Sequence, residues 1–231
     1  MKLSEPLIKG MLISRYKRFL ADVWLENDKI ITTHCPNSGS MMGLLQSGNP
    51  VLLSKSNNPK RKFPYTWELV QVSGTWAGVN TITPNRLINE ALLNKQIPEL
   101  VSYGEIKSEV FWEDHSRLDF CLRNDKETCF VEVKNVTLAE HGTALFPDAK
   151  TERGTKHLNA LVDIVRHGNR GIMCFLVNRA DCHVFKHADA IDPIYSETLR
   201  ISHKMGVEIL VYQAKIRPPQ VSLGCRLEFE L

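Results

Sequence analysis

The sequence has little that would place it in a membrane. Its longest apolar stretches, such as 171–177, are only a few residues long, whereas a membrane-spanning helix needs roughly 20 apolar residues. The first residues also lack the apolar segment of a secretory signal peptide. The sequence therefore predicts a cytoplasmic protein with no membrane partner.

The sequence also lacks the C-x-x-C spacing of a zinc ribbon, internal repeats and low-complexity segments. Its six cysteines are scattered along the chain. Because the cytosol keeps thiols reduced, free and mostly buried cysteines are predicted. With 43% hydrophobic and 24% charged residues among 231, the composition is that of a globular protein with one large or two modest domains.

Positive charge is concentrated in the first part of the chain. Residues 1–80 contain ten Lys and Arg against five Asp and Glu, a net charge of +5, while the remainder carries 19 against 21, a net charge of −2. A basic module favours a polyanionic partner, because neutralising phosphates releases counterions. The same excess is equally compatible with ordinary solvated surface charge.

Short strands separated by turns are predicted for the first third of the chain. Segment 18–26 alternates apolar and polar residues and is followed by a turn and a second strand at 29–33. Further strands are predicted at 51–54 and 66–73, with a basic turn between them. About five strands in roughly 80 residues indicate a small barrel, and an OB-fold is the common nucleic-acid-binding form of such a barrel.

The pattern changes near Pro84, where Thr83 is predicted to cap a helix that ends before Pro98. We therefore place the boundary between two domains, 1–82 and 83–231. After this first helix, the second domain is predicted to continue with three strands, a helix, a strand, another helix and a final strand. These elements lie at 106–112, 117–122, 128–136, 152–167, 171–177, 193–205 and 207–212. This order indicates an α/β (mixed α+β) fold in which helices flank a mixed sheet.

The residues with the clearest chemical meaning lie on the second and third of these strands. Glu132 and Lys134 are two residues apart and so share one strand face, while the residues between and beside them face the opposite core. A hairpin turn brings Asp119 onto the neighbouring strand, close to Glu132. Two adjacent carboxylates repel each other, so a hard divalent cation, Mg²⁺ or Mn²⁺, is a natural partner for Asp119 and Glu132. Lys134 would stabilise charge on a phosphodiester, an arrangement typical of PD-(D/E)xK nucleases.

A bare Glu-x-Lys motif is weak support by itself. The chain contains a second one, Glu105-Ile-Lys107, which has no acidic partner on a preceding hairpin strand. The alternative interpretation of Asp119, Glu132 and Lys134 is a charged hairpin on the surface. Glu90 and Glu152 are weaker candidates for the same metal site.

Several basic residues are candidates for contacts with a nucleic-acid backbone. In the second domain they open the helix after the Glu-x-Lys strand, where phosphate binding is favoured. In the first domain they lie in turns of the predicted barrel, and nearby aromatic residues (16, 63, 65, 67 and 76) are candidate stacking platforms for bases. The candidate DNA-binding residues are Arg15, Lys17, Arg18, Lys60, Arg61, Lys62, Arg153, Lys156 and His157.

Four segments of the sequence closely resemble the bacterial sugar fermentation stimulation protein A family. They are Tyr16-Lys-Arg-Phe-Leu-Ala-Asp22, His34-Cys-Pro-Asn-Ser-Gly39, Phe130-Val-Glu-Val-Lys-Asn-Val-Thr137 and Phe146-Pro-Asp-Ala-Lys-Thr-Glu-Arg-Gly-Thr-Lys-His-Leu158. The resemblance implies an N-terminal OB-fold joined to a PD-(D/E)xK nuclease-like domain, with the family's acidic and lysine positions at Asp119, Glu132 and Lys134. It also implies DNA binding without clear sequence preference and a regulatory role in sugar use, maltose in particular.

Three functions follow as hypotheses. The first is a metal-dependent nuclease that holds DNA with its OB-fold. The second is a DNA-binding regulator of sugar metabolism in which the inherited site is idle, although no helix-turn-helix for base readout is found in the sequence. The third is an RNA-handling protein, since OB-folds bind single strands of either kind.

Overall fold

A computed structural model describes residues 1–113 and 116–231 of the chain. The first part forms a six-stranded sheet that closes on itself, because β3 pairs with β5 as well as with β2. The barrel encloses a core that includes Leu12, Val23, Met41 and Trp67. Its strands are β1 (Leu7–Tyr16), β2 (Leu20–Leu25), β3 (Ile30–His34), β4 (Pro50–Lys55), β5 (Tyr65–Val72) and β6 (Thr75–Gly78).

The barrel confirms the predicted fold but differs in two details. Strand β1 was not predicted, since its apolar residues 11–13 are consecutive and give no alternation. The predicted strand 18–26 begins only at Leu20, because Lys17 and Arg18 adopt positive φ angles of 50° and 65° in the β1–β2 turn.

Within the described residues, the second part contains three helices and two sheets. Between the first helix and the next strand lies a short 3-10 turn, Pro98–Leu100. The elements are α1 (Ile82–Leu93), β7 (Glu105–Trp112), β8 (Ser116–Arg123), β9 (Thr128–Val136), β10 (Leu138–Glu140), β11 (Thr143–Phe146), α2 (Glu152–Arg166), β12 (Arg170–Val177), β13 (Val184–His187), α3 (Pro193–Lys204), β14 (Glu208–Arg217), β15 (Gln220–Arg226) and β16 (Glu228–Glu230).

The larger sheet of this part is mixed and covered by helices on both faces, as predicted. Its order is β15-β14-β12-β9-β8-β7, and β9, β12 and β14 are parallel. Helix α1 packs on one face, where Leu87 and Ile88 join a core with Val131 and Val133. Helices α2 and α3 pack on the other face. None of the helices in the described ranges is long and apolar enough to cross a membrane.

The helix ends follow simple capping rules, with one correction. Helix α1 begins at Ile82, so Thr83 is not its cap, and the side chain of Asn80 accepts the Ile82 N–H instead. Pro84 is tolerated because N–H groups in a first turn have no partner within the helix. Thr151 caps α2, and Asp192 caps α3 ahead of Pro193. 

A second correction concerns the segment near His183, for which no strand was predicted. It contains β13, which pairs in parallel with β11 and β16 in a small four-stranded sheet, β10-β11-β13-β16. These pairings join segments that are distant in sequence, so a local pattern gives little sign of them. All six cysteines are free, and five of them are buried, as expected for a reduced protein.

The two parts share an apolar core and several polar contacts. Leu52 and Leu69 of the barrel belong to the same cluster as Leu87 and Ile88 of α1. At the adjoining edge, Gly78 of β6 approaches the chain just beyond β12, and its N–H donates to a main-chain carbonyl there at 2.9 Å. The packing therefore fixes the barrel against the sheet that carries the predicted catalytic residues.

Candidate metal and nucleic-acid site

The site lies where β8 and β9 separate. Their regular pairing ends at Phe120 and Val131, and the carboxylate of Asp119 occupies the fork beyond it. One oxygen, Oδ2, accepts the main-chain N–H of Val133 at 2.7 Å, and Oδ1 accepts the side-chain amide of Asn85 on α1 at 2.6 Å. The strand fork and the helix together fix the Asp119 carboxylate in one orientation.

Glu132 and Lys134 lie together on the α2 side of β9. The Glu132 side chain is buried, and its Oε1 accepts a hydrogen bond from Lys134 Nζ at 2.6 Å. The intervening Val133 lies in the core on the α1 side. The structure thus brings the three residues together as the i, i+2 spacing and the hairpin predict.

His157 of α2 completes the cluster. The residue is only 6% exposed, and Nδ1 is hydrogen-bonded to the same Oε1 of Glu132 and lies 3.1 Å from Lys134 Nζ. The other ring nitrogen, Nε2, lies 3.4 Å from Nε of Arg153. The second carboxylate oxygen, Glu132 Oε2, is buried and has no hydrogen-bond partner among the described residues. A buried carboxylate oxygen without a partner is unfavourable unless a cation or water satisfies it.

The two carboxylates have opposite pKa shifts. Burial, together with the negative charge of Glu132, raises the pKa of Asp119 to about 6, although hydrogen bonds from Val133 and Asn85 act against the rise. Burial also acts to raise the pKa of Glu132, but the hydrogen bond from His157 and the charge of Lys134 outweigh burial and hold it below its usual value. One carboxylate is therefore firmly ionised, and the other gains from a nearby cation.

A polar cleft of about 470 Å³ opens in front of these groups. Besides the predicted residues, it is lined by Asn85, Arg117 and Glu109, of which the last two form an ion pair at 2.8 Å. No role was predicted for Asn85 or Arg117 from the sequence. Arg117 lies two residues before Asp119 on one strand, and this spacing is the sequence signal that could have identified it. Asn85 reaches the site only because α1 packs against the sheet.

The predicted DNA-binding residues of α2 separate into two groups. Arg153 and Lys156 are exposed at the first turns of the helix, and Arg153 lines the cleft. His157 is buried against Glu132, so its ring is directed to the acidic cluster. The weaker candidates lie apart from this cluster, since Glu152 is exposed and Glu90 binds the main-chain ammonium of Met1.

Two basic turns of the barrel flank the loop 35–41. Arg15 donates to the carbonyl oxygens of Arg18, Asn37 and Gly39 at 2.7, 2.8 and 2.9 Å, so it holds this loop in place. Lys17 and Arg18 are exposed in the β1–β2 turn. The loop in turn contacts the second part of the chain, where the Thr81 hydroxyl donates to the Pro36 carbonyl and the Met41 N–H donates to Asp148. Because Thr81 lines the cleft, the β1–β2 turn is connected to the cleft through one loop.

The second basic turn joins β4 and β5. Lys60 and Lys62 are exposed, and Arg61 donates to Thr66 at 3.2 Å. Burial lowers the pKa of His34, and the nearby charge of Arg61 lowers it further, which places this turn beside the start of loop 35–41. Of the aromatic candidates, Trp67 is fully buried in the barrel core and is not available for stacking.

A second cluster of metal-ligand types lies elsewhere on the surface. Ligand atoms of Glu113, Asp163 and His167 lie within 4.8 Å of one another. Asp163 accepts a hydrogen bond from Trp112 at 2.8 Å and also contacts His167. Asp163 thus already has two partners, and Glu113 and His167 are exposed.

Two family models match the chain, one for each domain. Residues 82–220 match the model "Sugar fermentation stimulation protein RE domain", and residues 13–79 match "SfsA N-terminal OB domain". The second match identifies the barrel as an OB domain.

Curated relatives and a solved structure are similar over nearly the whole chain. A "Sugar fermentation stimulation protein homolog" of Geobacter sulfurreducens is 52% identical over 227 residues, covering 98% of this chain and 97% of the relative. A homolog of the same name from Synechocystis is 48% identical over 220 residues, covering 94% and 92%. The solved structure is described as "The structure of Pyrococcus Furiosus SfsA in complex with Ca2+". It has a TM-score of 0.90 at 25% identity and covers 100% of both chains.

Proposed function

Since this chain belongs to the sugar fermentation stimulation protein family, we propose that it binds DNA largely without sequence preference and hydrolyses phosphodiester bonds with a divalent metal. The observation that carries the proposal is the buried Oε2 of Glu132, which has no partner among the described residues and belongs to a side chain that lines the same polar cleft as Asp119. The donors Asp119 and Glu132 are hard oxygen ligands, which fit Mg²⁺ or Mn²⁺.

The chemistry of the donor set agrees with what is known of a relative. The Pyrococcus furiosus protein is described in complex with Ca²⁺, which is also a hard cation that takes oxygen ligands. A divalent ion between Asp119 and Glu132 would supply Lewis-acid stabilisation of the charge that develops on a phosphodiester. The raised pKa of Asp119 supports such a site, because a cation there would favour the ionised carboxylate.

The remaining residues have separate roles in the proposed mechanism. Lys134 places a positive charge beside the reacting phosphate. Arg153 and Lys156, exposed at the start of α2, hold the phosphates of the bound strand in the cleft, and Lys17 and Arg18 hold the same polyanion from the barrel. None of these contacts reads base edges, so binding depends on the backbone of the nucleic acid and on ionic strength. RNA satisfies the same contacts, so unlabelled RNA should compete with DNA for binding.

A catalytically idle DNA-binding regulator of sugar metabolism, maltose in particular, is the second candidate. The observation that favours it is the tight ion pair of Lys134 with Glu132 at 2.6 Å, which leaves the ammonium less available to a substrate. The two functions differ in one measurable property, namely cleavage that requires a metal.

The test is cleavage of labelled single-stranded, duplex and branched DNA with Mg²⁺, Mn²⁺ or EDTA. We compare the wild type with Glu132→Gln and with the matched control Glu105→Gln, which alters the exposed Glu-x-Lys motif on β7. Metal-dependent cleavage that disappears in Glu132→Gln and persists in Glu105→Gln is the expected result. Salt-sensitive binding with no cleavage under any condition would favour the idle regulator, and salt-insensitive binding would contradict both candidates.

A further inference from the structure

The hydrogen bonds of Glu132 are distributed unevenly between its two oxygens. Oε1 accepts from both Lys134 Nζ and His157 Nδ1, whereas Oε2 has no partner among the described residues. We propose that His157 is a positioning residue, which donates from Nδ1 to Oε1 and so holds the carboxylate with Oε2 free to ligate the cation. This inference rests on the proposed metal site and assigns His157 a role other than contact with DNA.

The neighbours of the imidazole define which of its nitrogens carries the proton. A guanidinium group only donates hydrogen bonds, so Nε2 of His157, 3.4 Å from Arg153 Nε, is the acceptor. A neutral ring then carries its proton on Nδ1, the nitrogen that faces Glu132. Lys134 Nζ lies 3.1 Å from the same Nδ1, but both nitrogens face Glu132 Oε1, and a carboxylate only accepts, so the ammonium and the Nδ1–H both donate to that oxygen. Arg153 therefore supports the carboxylate indirectly, through the tautomer of His157.

Helix α2 holds the imidazole rigidly. Arg153 and His157 are four residues apart and so occupy one helix face. The helix start is capped by Thr151, and a Cβ at Gly154 would lie only 2.9 Å from the ring of Tyr195 on α3. This close contact between α2 and α3 fixes the height of the first helical turns above β9. The imidazole thus reaches the carboxylate from an element that is itself well packed.

The burial of His157 distinguishes its positioning role from direct contact with phosphate. His157 is buried, while Arg153 and Lys156 on the adjacent turns are exposed. A phosphate at the helix start therefore meets the two cations and not the ring. Partners that orient a metal ligand in this way typically contribute 10- to 100-fold to metal affinity.

The test measures Mn²⁺ and Ca²⁺ affinity of the DNA-free protein by isothermal titration calorimetry. The side-chain amide nitrogen of Asn falls near the place of Nδ1, and that of Gln falls near Nε2. We therefore expect His157→Asn to stay within a few-fold of the wild type, and His157→Gln and His157→Ala to bind about 10- to 100-fold more weakly. Arg153→Ala should weaken binding by a smaller factor. The matched control is His203→Ala, an exposed histidine in the last turn of α3.

The outcomes distinguish this inference from the function on which it depends. If the wild type and Glu132→Gln both fail to bind either metal, the metal site is overturned and the role of His157 with it. If the wild type binds and all three His157 variants bind equally well, the positioning role is overturned while the metal site stands. If Gln preserves affinity and Asn does not, the assigned tautomer is wrong. Should His157→Ala fold poorly, the comparison of Asn with Gln still decides.

Discussion

In metal-free protein, Asp119→Asn should increase the free energy of unfolding at neutral pH. The wild-type carboxylate is partly buried near the charge of Glu132, and its pKa is raised from 3.8 to about 6. A carboxyl group whose pKa is raised on folding makes the native state less stable once it ionises. Asn removes that charge and keeps an oxygen that can accept the Val133 N–H.

The size of the effect follows from the pKa shift. A change from 3.8 to about 6 corresponds to about 3 kcal/mol at 1.36 kcal/mol per unit. Partial solvent screening reduces this figure, and the hydrogen bond from Asn85 is worth roughly 1 kcal/mol if it is lost. A net gain of about 0.5–2 kcal/mol is therefore expected above pH 6. Between pH 3.8 and about 6, the folded wild type binds more protons than the unfolded chain. Its stability therefore falls as the pH rises through this range. The stability that the variant gains over the wild type appears across the same range.

Urea unfolding in EDTA at pH 4, 5, 6 and 7.5 measures this difference. Asp125→Asn, in the exposed β8–β9 turn, is the control and should show no such gain. Adding Mn²⁺ should stabilise the wild type, because a ligand that binds only the native state raises its stability, and should stabilise Asp119→Asn much less. A variant that is less stable than the wild type at pH 7.5, or equally stabilised at pH 4 and pH 7.5, would refute the electrostatic argument.

Two further predictions concern the contact between domains and the barrel surface. Gly78→Ala should destabilise the protein by about 1–3 kcal/mol, because the new Cβ would lie 2.1 Å from the Asn178 side chain. Thermal unfolding should show restored stability when Asn178→Ala is added, and Gly104→Ala, with nothing within 4 Å, should lack the penalty. Replacing Lys17 and Arg18 together with Ala should reduce the slope of log affinity against log salt by about 1–2, measured by fluorescence anisotropy with single-stranded and duplex DNA. An unchanged slope would exclude the β1–β2 turn from the interface.

The sequence predicts those parts of the site that depend on local geometry. Glu132 and Lys134 share one strand face because they are two residues apart, and a hairpin places Asp119 on the neighbouring strand. Both relations are local, so both could be predicted from the sequence. Asn85 and His157 reach the same cleft only because α1 and α2 pack on opposite faces of the sheet. No spacing rule relates these helix residues to the strands against which they pack, which explains why the contact of His157 with Glu132 and the position of Asn85 were not predicted.

The fold shows the same division between local and distant effects. Helices α2 and α3 were predicted closely, since capping residues and glycines with positive φ mark their ends. Strand β13 was missed because its partners, β11 and β16, come from distant parts of the chain. Trp67 was a candidate for stacking because composition alone does not reveal which aromatic residues fill the barrel.

The apolar cluster shared by the barrel and α1 limits how this protein can change in evolution. Leu52 and Leu69 contribute to the same buried surface as Leu87 and Ile88, and exposing apolar surface costs roughly 25 cal/mol per Å². An exchange of the barrel for an unrelated one would have to supply matching side chains at once. We therefore expect the two halves to be inherited as a pair, with changes on one side of the shared cluster accompanied by compensating changes on the other.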